Sequence, residues 1–402
     1  MRVALIADTF PPLRTSGAVQ LRDLSREFVR QGHDLTVLLP SPDLQKSWKL
    51  EEFDGVQVLR LRAPRIKEIG YVRRTLGELI MPFAMLRNLR KSALAHAQWD
   101  GVAWYSPSIF HGPLANSLKK ASDCKGYLII RDIFPEWAVD MGLMGRGLPY
   151  RFFGAVARYQ YSVADIIGVQ TSGNLGYFEQ WRQQPDHHLE VLQNWLDKPG
   201  RAPCPIRVNE TSLAGKKVFV YAGNMGIAQG MDVLLDLAEK LCSRKDVGFL
   251  FVGRGSDAAR LQSIAAQKQL DNVVFFEEID PDGIPDLYAQ CHAGIVALDS
   301  RHKSHNIPGK FLTYMQNGMP VLACVNSGND LVQIIRGEDV GEVCETDDLD
   351  ELTSLADRLL MRIGASEEFS NRCLALFERE FSVEKAVHQI VTALSPKDEG
   401  RP

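Results

Sequence analysis

The stretch Tyr221–Asp232, YAGNMGIAQGMD, constrains the fold more than any other. Val218-Phe219-Val220-Tyr221 is short, apolar and β-rich, the pattern of a buried strand. It runs into Gly223-Asn224-Met225-Gly226, and an amphipathic helix begins near Gly230-Met231-Asp232. A strand, a glycine turn and a helix N-terminus gather backbone N–H groups and the positive end of a helix at one point, which favours a phosphate. A second such turn follows at Phe249–Asp257, FLFVGRGSD, where Gly253-Arg254-Gly255 closes a strand. Arg254 can add a charge-assisted bond there. Each turn alone is equally compatible with glycine serving loop geometry. Two in series, with a basic loop further on, point to a nucleotide site.

The 402 residues suffice for two or three domains. With 45% hydrophobic and 24% charged residues, the composition is that of an ordinary globular protein. A net charge of −4 gives no global attraction to nucleic acid, so no nucleic-acid partner is expected. The seven cysteines are scattered without a C-x-x-C pair, which predicts a reducing, cytoplasmic compartment and no structural zinc. Asp8 and the prolines after it interrupt the N-terminal apolar run, so it reads as a strand rather than a signal peptide. No apolar run is long enough to cross a bilayer.

In the first half, the strand Arg2–Ala7 leads into a loop, Asp8–Ala18, then a helix to about Gln31 and a strand at Asp34–Leu39. This is a βαβ unit of a parallel sheet. Its loop lies at the carboxyl end of the first strand, where open α/β sheets bind ligands, and Gly17 is where a phosphate or sugar can approach. After a strand at Val56–Leu61, Arg65–Ala97 reads as a basic, apolar-striped helical region. Ile69, Leu76, Leu79, Ile80, Phe83, Met85 and Leu86 form its apolar side. Such a segment suits either an anionic membrane surface or a helix pair packed on its own sheet with a solvated basic face. Strands at Gly101–Ser106 and Tyr127–Ile130 follow, and the second ends in Arg131-Asp132-Ile133-Phe134-Pro135-Glu136. Arg131, Asp132 and Glu136 are candidates for binding sugar hydroxyls or an acceptor hydroxyl. Helix capping is the other reading for the two acids. Strands at Asp165–Gln170 and Leu189–Leu192 close the first half, with Thr171-Ser172-Gly173-Asn174 expected to cap a helix between them.

Lys198–Asn209, with three prolines, reads as a linker. Strand and helix then alternate again, so two doubly wound α/β domains are expected: residues 1–200 and 201–382. The last helix, within 383–402, is expected to complete the first domain. Asp299–Val321, DSRHKSHNIPGKFLTYMQNGMPV, follows an apolar strand and precedes a helix starting near Lys310. A lysine at a helix start opposes the dipole, and a bound diphosphate would relieve that conflict. His302 and His305 lack the partners of a zinc site, so no metal is expected. Asp348-Leu349-Asp350 matches D-x-D formally but precedes a helix, where acids serve capping.

Arg131–Gly142 (RDIFPEWAVDMG), Tyr221–Asp232 and Asn306–Val321 (NIPGKFLTYMQNGMPV) resemble the GT-B glycosyltransferases of family 4, and the likeness runs over nearly the whole chain. These are retaining enzymes with nucleotide-sugar donors and two Rossmann-like domains facing across a cleft. The segments look like a bacterial branch that builds O-antigen, capsule or exopolysaccharide units and includes N-acetyl-fucosamine-type transferases. The resemblance implies a UDP-linked N-acetylated hexosamine or deoxyhexosamine as donor, a lipid-linked saccharide as acceptor, and no cofactor or metal. It implies a cytoplasmic enzyme, peripheral on the inner membrane face. It puts Gly17, Gly223, Asn224, Gly226, Gln229 and Gly253 around the donor phosphates, with Arg254 and Lys310 as cations. Glu278 and Ile279 line the base pocket, and His305, Asn306 and Thr313 face the sugar and ribose. His305 and Thr313 stand where the family has a pair of Glu residues, Gln229 stands for a Lys, and Arg131 for a His. Arg254, Lys310 and Asp132 are the expected catalytic residues. A sugar-nucleotide epimerase on the same fold, or a non-catalytic nucleotide-sugar-binding subunit, is the alternative.

Overall fold

The computed structural model describes residues 1–13, 15–67, 69–198, 200, 202–226, 229–298, 307–363 and 368–396. They divide into two units, Met1–Asp197 with Val383–Pro402, and Lys198–Ser382.

The first unit is built on eight strands: β1 (Arg2–Ile6), β2 (Asp34–Ser41), β3 (Trp48–Phe53), β4 (Val56–Arg62), β5 (Gly101–Tyr105), β6 (Lys125–Ile129), β7 (Ile166–Val169) and β8 (His188–Val191). Their order in the sheet is β3-β4-β2-β1-β5-β6-β7-β8. All neighbours are parallel except β3, which pairs antiparallel with β4 at the edge. β3 was not anticipated, because WKLEEF is polar and half-exposed, as an edge strand can afford to be. Both faces of the sheet's centre are covered, so β1, β5 and β6 are mostly apolar and their residues alternate between two cores. Val3, Leu5, Val37, Ala103, Tyr127 and Ile129 face one core. Ala4, Ile6, Leu38, Val102, Trp104 and Leu128 face the other.

The last helix, Val383–Leu394, completes the first of these cores. Val383, Ala386, Val387, Ile390 and Leu394 repeat at helical spacing and are all buried. The fit is close enough that a Cβ on Gly101 would lie 2.8 Å from Leu394 Cδ1. Lys125 Nζ also donates to the Ser395 carbonyl at 2.9 Å. The basic region expected over Arg65–Ala97 is one helix, Tyr71–Leu89. It buries Gly77, Met81, Pro82, Met85 and Leu89, and leaves Leu76, Ile80 and Phe83 exposed. Its apolar residues are therefore split between two faces. Residues Ser172–Phe178 form a 3₁₀ stretch with no side-chain cap from Thr171, where an α-helix was expected.

The second unit has six parallel strands: β9 (Lys217–Ala222), β10 (Val247–Val252), β11 (Val273–Phe276), β12 (Ala293–Ala297), β13 (Val321–Cys324) and β14 (Gly341–Cys344). Their order is β11-β10-β9-β12-β13-β14. The order reverses between β9 and β12, which pair over only Phe219–Val220 and Ala293–Gly294. Strands that part at such a switch point open a crevice at their carboxyl ends. Asp348 caps the helix Leu349–Ile363, accepting from the amides of Asp350 and Glu351 at 2.8 and 3.1 Å, so the D-x-D triplet is structural.

All six tryptophans lie in the first unit, so their fluorescence reports that unit alone. Ile390→Ala is expected to destabilise it by about 2–5 kcal/mol. The measurement is the urea midpoint of tryptophan emission in the full chain, and an unmoved midpoint would show the helix contributes little.

Candidate functional site

A cavity of about 530 Å³ opens at the carboxyl edge of the second sheet. Four segments line it. Ala222, Gly223 and Asn224 follow β9, and Val252, Gly253 and Arg254 follow β10. Glu278, Ile279, Pro281, Ile284 and Tyr288 form one wall, and Lys310 and Thr313 lie on the helix Gly309–Gln316 after β12. Eight residues expected at the donor are thus brought together: Gly223, Asn224, Gly253, Arg254, Glu278, Ile279, Lys310 and Thr313. His305 and Asn306 lie outside the described residues.

Tyr314 fixes the helix that carries Lys310. Its ring packs over Gly294, where a Cβ would come within 2.5 Å of it. Its hydroxyl sits 3.0 Å from the Val220 carbonyl and 3.2 Å from that of Ile295, bridging β9 and β12 where they part. One turn earlier, Lys310 points along β9 to Tyr221. Its Nζ donates to the Tyr221 hydroxyl at 2.6 Å and lies 4.0 Å from the ring centroid. The Tyr221 hydroxyl in turn donates to the Asn224 carbonyl at 2.6 Å. Burial pushes the Tyr221 hydroxyl well above its ordinary value, so it remains neutral and offers no counter-charge. Among the described residues, no carboxylate pairs with Lys310. Burial alone pulls its ammonium down to about 7. The N-terminus of its helix disfavours the cation further. An anion in the cavity would correct both.

Arg254 differs. It is paired with Glu278 at 2.8 Å, with side chains 80% and 54% exposed. Such a pair holds roughly 0–1 kcal/mol, so an incoming phosphate can take the guanidinium from it. Thr313 Oγ1 donates to the Gly309 carbonyl at 3.2 Å and keeps its lone pairs for a hydroxyl.

The glycine turns depart from expectation. The Gly223 amide donates to Val252 O, the Met225 amide to Arg254 O, and the Gly226 amide to the Gln229 side chain at 2.9 Å. Gln229 therefore braces the turn, and of these four residues Asn224 alone has no amide bond to a described residue. Gly253 and Gly255 have positive φ, and a Cβ on them would lie 2.0 Å from Gly223 O and 2.1 Å from Met225 O. These two glycines let the β9 and β10 loops pair with each other.

In the first unit, Gly17 lies inside the first turn of the helix Ser16–Arg30 rather than in the preceding loop, because Thr15 already caps that helix. A Cβ there would meet Thr9 and Tyr105 at 3.3 and 3.5 Å. Arg131 is buried, donates to the carbonyls of Leu192 and Gln193, and stacks 4.4 Å over Trp195. Its guanidinium ties β6 to the segment after β8 instead of reaching out to an acceptor. Glu136 starts the helix Glu136–Asp140 but does not cap it; its carboxylate accepts from the Tyr150 hydroxyl at 2.6 Å. Asp132 is half-buried at the end of β6; burial pushes its carboxyl up and Arg131 pulls it down.

Residues 216–362 match the family model described as Glycosyl transferases group 1. That match lies within the second unit. The chain is 25% identical over 247 residues to the probable glycosyltransferase WbjE of Pseudomonas aeruginosa, a match spanning 60% of this chain and 61% of that protein. It is 21% identical over 381 residues, 86% of each chain, to the putative colanic acid biosynthesis glycosyl transferase WcaI of Escherichia coli K12. Its fold matches the structure of Anabaena HepE in complex with UDP and glucose, with a TM-score of 0.65 at 14% identity over 97% of this chain and 98% of that one. The two Rossmann-like sheets give the GT-B fold.

Within the matched residues, Tyr221 was missed as a site residue. It reads as the last apolar residue of a strand, and only a hydroxyl beside a glycine turn hints otherwise. Pro281, Ile284 and Tyr288 were missed because the turn Pro281–Gly283 and the short helix Ile284–Tyr288 carry no phosphate-binding pattern. No group of three His, Cys, Asp or Glu side chains that could hold a metal occurs among the described residues.

Lys310 gives the cavity a pH signature. Below about pH 7 the empty site already holds the ammonium; above it the site is neutral and must take up a proton to meet an anion. Affinity for inorganic diphosphate is therefore expected to weaken above pH 7, by up to about tenfold per unit. Lys310→Arg should flatten this slope. Calorimetry in buffers of different ionisation enthalpy reads the proton uptake directly, and none at pH 8 would refute it.

Proposed function

We propose that the chain transfers a sugar from a nucleoside diphosphate donor to a hydroxyl of a lipid-linked glycan, in the synthesis of a bacterial surface polysaccharide. The observation that carries this reading is Lys310, a buried ammonium with no described counter-ion, facing a cavity that Arg254 also enters. The group 1 match over these residues, the UDP held by HepE and the colanic acid role in WcaI's name support it. We take the donor to be a UDP-linked N-acetylated hexosamine or deoxyhexosamine.

In this mechanism the bond between the anomeric carbon and the diphosphate oxygen breaks while the acceptor oxygen bonds to the same face of that carbon. The acceptor proton passes to the departing diphosphate, and configuration is retained. Charge builds on the leaving group, so the largest contribution comes from cations and dipoles already aimed at it. Lys310, Arg254 and the N-terminus of the Gly309–Gln316 helix supply them. Asn224 and Thr313 hold donor hydroxyls or phosphate oxygens. Ile279, Ile284 and Pro281 offer an apolar wall to the base. Asp132 orients the acceptor hydroxyl. No helix among the described residues is long and apolar enough to cross a membrane, in keeping with peripheral attachment as the route to a lipid-borne acceptor.

Lys310→Ala and Arg254→Ala should each slow transfer by about a hundredfold or more, the loss seen when one transition-state contact is removed. The assay is sugar release from candidate UDP-sugars with and without a lipid-linked acceptor. If both variants stay within a few-fold of the parent protein, the assignment fails. Interconversion of the sugar without transfer would establish an epimerase instead.

A further inference from the structure

The strand β3 ends the first sheet on one side and pairs with β4 alone. The Arg62 amide donates to the Ser47 carbonyl at 3.0 Å, just ahead of the point where Trp48 stands opposite Leu61. In an antiparallel ladder, bonded and non-bonded pairs alternate residue by residue. Ser47, Lys49, Glu51 and Phe53 therefore spend their main-chain bonds on β4. Trp48, Leu50 and Glu52 turn their N–H and C=O groups the other way. Among the described residues, nothing else bonds those groups. Leu50, in the middle of the strand, is 37% exposed.

The side chains of this edge are complementary to themselves. Lys49 and Glu51 flank Leu50, lie on the same face of the sheet and pair at 2.6 Å within the strand. A second β3, brought up antiparallel about a two-fold axis normal to the sheet, keeps every side chain on its own face. With that axis at Leu50, the two Leu50 residues stand opposite each other and exchange both main-chain bonds. Lys49 of each copy then faces Glu51 of the other, in the non-bonded positions where side chains come closest. Moving the axis one residue either way sets Lys49 against Lys49 or Glu51 against Glu51. Charge and bonding phase therefore select one register. Lysines also serve to blunt edge strands against pairing. A blunting lysine would repel a second copy, whereas this one meets a carboxylate.

We propose that two copies of this chain associate through β3, edge to edge, so that their first sheets become one continuous sheet. Main-chain bonds from Trp48, Leu50 and Glu52 supply the attraction, as when an extended segment adds to a sheet edge. The Lys49–Glu51 pairs fix the register. The pairing is independent of the sugar-transfer reading, and its test reads mass alone.

The experiment is sedimentation equilibrium of the full chain over a range of concentrations. A strand of six residues on each side makes a contact below the roughly 1,200 Å² of a standard interface, so the mass is expected to rise from one copy toward two only as concentration rises. Leu50→Pro removes an N–H that β4 does not use, so the strand keeps its place while both central bonds are lost. It should raise the dissociation constant about tenfold or more. Lys49→Glu and Glu51→Lys each set like charges opposite one another and should weaken association about as much. An equal mixture of those two variants should recover the parental mass, because unlike charges then face each other across the two different copies. Urea curves of tryptophan emission show which variants are folded. If Glu51→Lys, which also loses the pair with Arg60, is not, Leu50→Pro carries the test. A single-copy mass at every concentration overturns the proposal. So does a dimer that Leu50→Pro leaves intact, or a mixture of folded variants that associates no better than its components.

Discussion

A lysine ammonium in a low-dielectric site needs a partner, and among the described residues Lys310 has a neutral phenol and no carboxylate. Removing a cation from water costs several kcal/mol unless an opposite charge repays it. The surrounding structure holds the lysine there regardless. Tyr314 locks its helix across the seam between β9 and β12, and Tyr221 receives its Nζ. The tension is local, and an anion in the cavity would resolve it. Arg254, exposed and paired with Glu278 at the surface, is a cation that costs little to redirect.

The strand order produces that arrangement. Because β9 pairs with β10 on one side and β12 on the other, the residues after β9 and β10 and the helix that follows β12 arrive at the same edge. The first two loops then pair through backbone bonds, Gly223 to Val252 and Met225 to Arg254. Their glycines are required by that contact, and the rigid floor it makes is what places Asn224 and Arg254 beside Lys310. In the first unit Arg131 has a similar part, joining β6 to the segment after β8 while Asp132, its neighbour, remains at the strand end.

Much of the architecture was legible because parallel strands covered on both faces are short apolar runs, and each is followed by a turn and an amphipathic helix. The helix at Lys310 and the turn at Gly223 were visible for that reason. β3 was not, since an edge strand may be polar. Which apolar residues of the Tyr71–Leu89 helix face outward was not either. An apolar residue has the same letter whether it faces a core or water, and this helix has apolar residues on both sides.

The sequence by itself determined the two α/β units, the glycine turns, and the cations Arg254 and Lys310 at strand ends. These follow from periodicity and charge along the chain, which are local properties. Only the tertiary structure decided which partner each group has. It gave Lys310 a phenol in place of a carboxylate, turned Gln229 onto the Gly226 amide, and set Gly253 against a second loop. It also laid the last helix on the first sheet. Those outcomes depend on contacts between segments far apart in the chain, and no local pattern encodes the distance between them.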